Sequence, residues 1–106
     1  MVEKWDNVTT KDLLKTIVAL KNTKEAKRFL RDLLTEAELI EFGNRWKAAR
    51  MLSKNVPYSA ITTKTGLSST TIARISKWLN KGMGGYKLLI NRLHHHNSNQ
   101  LGKGLS

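Results

Sequence analysis

The sequence predicts an all-α fold of six helices. Apolar residues recur at three- and four-residue steps almost throughout, no stretch alternates apolar and polar residues as a half-buried strand would, and 106 residues contain a single proline. A chain of this length supports one domain, expected over residues 1–96, followed by a polar, glycine-containing, flexible tail over 97–106. No internal repeat is present.

Taken in order, Thr10 or Asp12 caps a first helix whose Leu13, Leu14, Ile17, Val18 and Leu20 form a wide apolar face and which ends near Lys21–Asn22. Thr23 starts a second helix, with Ala26, Phe29, Leu30, Leu33 and Leu34 opposite Lys24, Lys27, Arg28 and Arg31. Thr35 and Glu38 form the capping box T-x-x-E of a third, which runs to about Ser53. It carries Leu39, Phe42, Gly43, Trp46, Ala49 and Leu52, with Ile40 and Met51 widening the stripe. Faces this wide exceed what a small monomer covers, so an intertwined or closely packed homodimer is expected, the alternative being a compact monomer with a few exposed leucines.

Between Pro57 and Leu79 lie two short helical patterns separated by Thr65-Gly66-Leu67-Ser68. Pro57 suits the first helical position, Gly66 supplies a positive φ, and Ser68 or Ser69 caps the second helix. Ile61, Leu67, Ile72 and Ile75 fall where two helices wedge together, which is helix-turn-helix spacing. That spacing turns Ser69, Thr70, Thr71, Ala73, Arg74 and Lys77 mostly outward, where a recognition helix meets base edges. Arg74 and Lys77 can reach guanine or phosphate, but Arg74 can also stack in a pocket and Lys77 can simply be solvated. Tyr58, Ser59 and Thr62, with Lys64 the weaker candidate, fit phosphate positioning.

The glycines of Lys81-Gly82-Met83-Gly84-Gly85 break the pattern as a hinge, and Tyr86 to Leu93 resumes it as the sixth helix. They lack G-x-G-x-x-G and follow no strand, so they are not a dinucleotide loop. His94, His95 and His96 are consecutive, about 100° apart on a helix, and do not share a metal easily. No metal and no cofactor are therefore expected. Trp5, Trp46 and Trp78 are expected in core packing rather than as stacking platforms for single strands.

Charge divides sharply. All 8 carboxylates lie in the first 41 residues beside 8 Lys/Arg, whereas Phe42 to Ser106 holds 11 Lys/Arg and no acid, so the whole net charge of +11 sits around the candidate motif. Such a segment repels itself unless a polyanion is near, and neutralising phosphates releases counterions. Double-stranded DNA is the expected partner. A membrane is not, because no stretch approaches about 18 apolar residues and no charged-then-apolar leader opens the chain. A cytoplasmic protein follows. Zero cysteines removes disulfides, thiolate catalysis and zinc–thiolate sites, the histidines cluster near the tail, and nothing supports an enzyme.

The run from Leu34-Thr35-Glu36 through Gly43-Asn44-Arg45 to Thr65-Gly66-Leu67-Ser68-Ser69-Thr70-Thr71-Ile72-Ala73-Arg74 resembles the Trp repressor superfamily. The ending Leu79-Asn80-Lys81-Gly82-Met83-Gly84-Gly85-Tyr86 is similar to its YerC/YecD branch. The resemblance covers nearly the whole chain. It implies a six-helix fold, an obligate intertwined dimer, and transcriptional repression at a pseudo-palindromic operator read by two recognition helices.

The resemblance also implies an effector pocket, since tryptophan-binding members hold the ligand between two arginines, matched by Arg45 and Arg74, with Thr35 beside them. Two positions depart. Ile75 stands where those members have the glycine that leaves room for the ligand, and Trp78 where they have a serine. Ile75 fills volume that an indole needs, so the pocket is expected to be vestigial and tryptophan is not expected as corepressor. Ile75 and Trp78 then pre-set the recognition helices, or an unknown small-molecule effector does. The remaining readings are a sequence-nonspecific nucleic-acid packaging protein, a tryptophan-responsive repressor, and a partner-binding adaptor whose helix-turn-helix is structural.

Overall fold

A computed structural model describes the backbone of residues 3–105 and the side chains of residues 3–95; among these are six helices and no strand. The helices are α1 (Val8–Val18), α2 (Thr23–Leu33), α3 (Glu36–Ser53), α4 (Tyr58–Thr65), α5 (Ser69–Lys81) and α6 (Gly85–Leu105). The chain divides into two units, Met1–Leu39 and Ile40–Ser106.

In the first unit, α1 starts and ends earlier than the sequence predicts. Asn7, not Thr10 or Asp12, is the cap: its side chain accepts from the Thr10 amide at 2.9 Å and its own amide donates to Thr10 Oγ1 at 3.0 Å. The Thr10 hydroxyl meanwhile donates to the Trp5 carbonyl, so Thr10 is already committed as the third residue of the helix. At the other end, α1 stops at Val18 rather than near Lys21–Asn22 because the link is used to start α2. Asn22 is extended and caps the Glu25 amide at 2.9 Å, and Glu25 accepts the Lys21 amide at 3.1 Å. The capping box at the start of α3 forms as the spacing requires, with Thr35 N to Glu38 Oε1 at 2.9 Å and Glu38 N to Thr35 Oγ1 at 3.1 Å. Those two hydrogen bonds, backbone first, hold the Glu38 carboxyl below its ordinary value.

The second unit is built on α3, α4, α5 and α6. Ala48, Ala49, Ile61, Ile72 and Ile75 are fully buried, and Met51, Leu52, Val56, Leu67, Tyr86 and Ile90 pack against them. Ala48 and Ala49 of α3 share this cluster with the isoleucines of α4 and α5, and the three isoleucines each contribute about 1.5–3 kcal/mol of burial. The α5–α6 corner is tight: a Cβ on Gly82 would stand 2.5 Å from the Trp78 carbonyl oxygen, and Gly84 has φ of 84°. The expected hinge residues thus close a turn between α5 and α6. Tyr86 then stacks on Trp46 with centroids 6.3 Å apart. The backbone of the tail expected at 97–106 continues α6 as far as Leu105, while the side chains of His96 and of the residues beyond it lie outside those described.

Two of the three tryptophans do not join the core. Trp46 is partly buried against Tyr86, but Trp5 is 51% and Trp78 46% exposed in the isolated protomer. Trp5 precedes α1 in the N-terminal turn, and Trp78 flanks the buried stripe of Ile72, Ile75 and Leu79 on α5 without joining it. Leu14, Ile17, Val18 and Leu33 in the first unit, and Ile40, Phe42, Leu88 and Leu93 in the second, are exposed as well.

Candidate nucleic-acid interface

The geometry of α4 and α5 is fixed locally by three residues. Gly66 ends α4 in the left-handed conformation, with φ 75° and ψ 1°. Its neighbour Thr65 is buried; the Thr65 hydroxyl donates to the Ile61 carbonyl at 2.7 Å and accepts from the Leu67 amide at 3.2 Å. Ser68 then opens α5 by accepting the Thr71 amide at 3.1 Å. Of the two serines, Ser68 is the cap and Ser69 the first helical residue.

This frame turns Ser69, Thr70, Ala73, Arg74 and Lys77 outward as exposed residues, with Thr71 half-buried. Thr71 Oγ1 accepts a 3.1 Å hydrogen bond from Ser68 Oγ, which leaves the Thr71 hydroxyl proton to be donated elsewhere. Tyr58, Ser59, Thr62 and Lys64 on α4 are exposed too. Pro57 stands one position before α4 rather than inside it, since its ψ of 148° is extended, and no side chain caps the helix it precedes. The first amides of α4 therefore have no side-chain acceptor.

Electrostatically the second unit is one-sided. Its single carboxylate, Glu41, is already used by Arg45 at 2.9 Å, the one salt bridge among the described residues. Lys64, Arg74, Lys77, Lys81, Lys87 and Arg92 of α4, α5 and α6 are exposed and thus present their charge to solvent or to whatever binds there.

The residues matched to the effector pocket fall in both units. Thr35 belongs to the first, where its side chain caps α3. In the second, Arg45 is engaged by Glu41 and lies 5.7 Å from the Phe42 ring centroid, with its buried Nε unpartnered. Arg74 is exposed. Ile75 is fully buried between the helices. Trp78 and Tyr86 flank a shallow apolar cleft with Gly82, Met83 and Gly85. Among the described residues, no group of three or more His, Cys, Asp or Glu is set to hold a metal, and no helix is long and apolar enough to cross a membrane. His94 and His95 pack edge to face with each other.

Thr65 and the Glu41–Arg45 pair escaped the sequence reading. A threonine in the last helical turn before a glycine is a usable signal for the first, and the i, i+4 spacing of Glu and Arg for the second. The Trp46–Tyr86 stack has no local signal because it joins residues far apart in the chain.

Comparison with known proteins gives a consistent result. The family model described as Trp repressor protein matches residues 8–94. The uncharacterised protein YerC of Bacillus subtilis (strain 168) is 37% identical over 81 residues, covering 76% of this chain and 78% of YerC. Among solved structures, a TrpR-like protein from Eubacterium eligens superposes with a TM-score of 0.82 at 34% identity, covering 86% of this chain and 94% of that one. A Staphylococcus aureus protein provisionally assigned as a Trp repressor also gives 0.82, at 28% identity, over 89% of this chain and 94% of its own.

Proposed function

This chain belongs to the Trp repressor family, and on that premise we propose that it is a sequence-specific, DNA-binding transcriptional regulator rather than an enzyme, acting as a repressor in the cytoplasm. The observation that carries the reading is the α4–α5 pair. Its two helices are locked by Ile61, Ile72 and Ile75 and by the Thr65 hydroxyl, and they display small polar and basic residues in a unit whose only carboxylate is neutralised. Read as a helix-turn-helix, α5 enters the major groove with Ser69, Thr70 and Thr71 at base edges, beside Ala73. Arg74 and Lys77 follow along the groove, and Tyr58, Ser59, Thr62 and Lys64 meet phosphates.

The protein acts as a homodimer on a pseudo-palindromic operator. The exposed Leu14, Ile17, Val18, Leu33, Ile40, Phe42 and Leu93 support this, being more apolar surface than a monomer of this size leaves in water.

Regulation does not depend on tryptophan as corepressor. Ile75 is fully buried, so the space a glycine would leave is filled by a side chain the core needs, and Arg45 already has a carboxylate partner in Glu41. Ile75 and Trp78 preset α5, unless a different effector does so. The whole reading is tested by titrating full-length protein into duplexes of a selected sequence and of random sequence at physiological salt. A specific duplex bound at least a thousandfold more tightly supports it, as typical specificity ratios are roughly 10³–10⁷. Equal affinities would contradict it.

A further inference from the structure

Beside the α4–α5 pair, the second unit contains an open cleft of about 690 Å³ that none of the proposed base or groove contacts occupies. Its rim is polar: Asn55 from the α3–α4 link, Tyr58 from the start of α4, Ser76 and Asn80 from α5, and Lys87 and Asn91 from α6. Its floor includes Leu52, Val56, Leu79 and Ile90. Lys87 is the one charged residue of the lining, and no carboxylate lines the cleft. The Asn80 amide is anchored by donating to the Ser76 carbonyl at 2.9 Å, and its second N–H remains for another acceptor.

We infer that this cleft seats the sugar–phosphate backbone of double-stranded DNA flanking the groove read by α5, with Lys87 of α6 as its cation. The inference rests on the DNA-binding reading and extends the contact to a helix outside the α4–α5 pair. Three observations select this occupant. Tyr58 belongs both to the cleft and to the exposed face of α4, so a polyanion lying on that face runs directly into it. The donor set of one ammonium, asparagine amides and hydroxyls matches phosphate oxygens, which accept from such groups, and the lining holds no carboxylate to balance a cation beside Lys87. The acid-free chain from Phe42 onward makes the cleft electropositive without a competing internal anion. Because phosphate contacts carry no base information, Lys87 contributes equally to every sequence.

The test is the salt dependence of binding by the full chain, measured by fluorescence anisotropy on a selected duplex and on a random one, for the wild type and for Lys87→Gln, Lys87→Arg, Asn91→Asp and Lys24→Gln. Circular dichroism melts establish that each variant is folded. The expected result is that Lys87→Gln lowers the slope of log K against log salt by about 0.9 per protomer, the value for one phosphate contact, and weakens both duplexes by a similar, roughly three- to tenfold factor. Lys87→Arg keeps the slope, and Asn91→Asp, which puts an anion into the cleft, weakens both duplexes. Lys24→Gln, on α2, leaves the slope unchanged. An unchanged slope in Lys87→Gln, or a loss confined to the selected duplex, would overturn the inference while leaving DNA binding itself intact. A wild type that binds neither duplex would instead remove the reading on which it rests.

Discussion

The Thr65 hydroxyl and the Leu67 amide are joined across the turn at 3.2 Å, while the same hydroxyl donates to the Ile61 carbonyl at 2.7 Å. One buried oxygen thus ties the last turn of α4 to the chain that leads into α5.

Replacing Thr65 by valine keeps the shape and removes the hydroxyl, leaving the Leu67 amide without its acceptor in a part-buried site. The expected cost is about 1–3 kcal/mol in urea unfolding, with serine at the same position losing much less. An unaffected midpoint in Thr65→Val would show that the turn is held by Gly66 and the isoleucines alone.

Gly66 and Gly82 should both resist alanine, for different reasons. At Gly66 there is open space around a Cβ but φ is 75°, so the cost is conformational, about 1–2 kcal/mol. At Gly82 the Cβ meets the Trp78 carbonyl oxygen, so Gly82→Ala must shift the α5–α6 corner. Chemical-shift changes by NMR should therefore remain near the turn in Gly66→Ala and extend into α5 and α6 in Gly82→Ala.

Much of this was legible in the sequence because it is local. The capping box of Thr35 and Glu38, the left-handed Gly66 and the burial of Ile61, Ile72 and Ile75 are set by residues within a few positions of each other, where spacing speaks directly. The start of α1 differs from the spacing's expectation because two polar residues compete for it: Asn7 takes the cap and Thr10 becomes its partner. Trp78 continues an apolar helical pattern yet is 46% exposed, since the pattern marks the buried stripe of α5 but not how far around the helix its neighbours reach. The cleft over Lys87 and the Trp46–Tyr86 stack were invisible for a related reason, since each is assembled from helices distant in sequence.

Base reading and phosphate contact separate by mutation. Thr71→Ala should lower affinity for the operator by about 1–3 kcal/mol and flatten the preference at one base position, because the Thr71 hydroxyl, which accepts from Ser68, still has a proton to donate to a base. Lys64→Ala should weaken selected and random duplexes alike. Proportional losses on both duplexes from both variants would contradict these roles.

The capping box gives a pH signature. Because the folded Glu38 carboxyl titrates below its ordinary value, the stability it lends α3 is fully present above the unfolded glutamate value and disappears as pH falls through the lowered folded one. Carbon-detected NMR titration should place the Glu38 midpoint below the ordinary glutamate value, and Thr35→Ala should return it toward that value. A Glu38 midpoint indifferent to Thr35→Ala would exclude the box as the cause.

Buried Ile75 implies that isothermal calorimetry with tryptophan records no stoichiometric micromolar binding. Ile75→Ala, which opens the space, should cost roughly 2–5 kcal/mol of stability, as other large-to-small core changes do. Micromolar, one-per-protomer binding to the wild-type chain would refute the filled-pocket argument.

The central claim is that α5 is held ready to read DNA by the protein's own side chains. Selection of bound duplexes from a random pool at physiological salt, in parallel without ligand and with tryptophan, tests it most directly. Enrichment of a two-fold-symmetric motif in the ligand-free arm is the predicted result; enrichment only when tryptophan is added, or in neither arm, would contradict it.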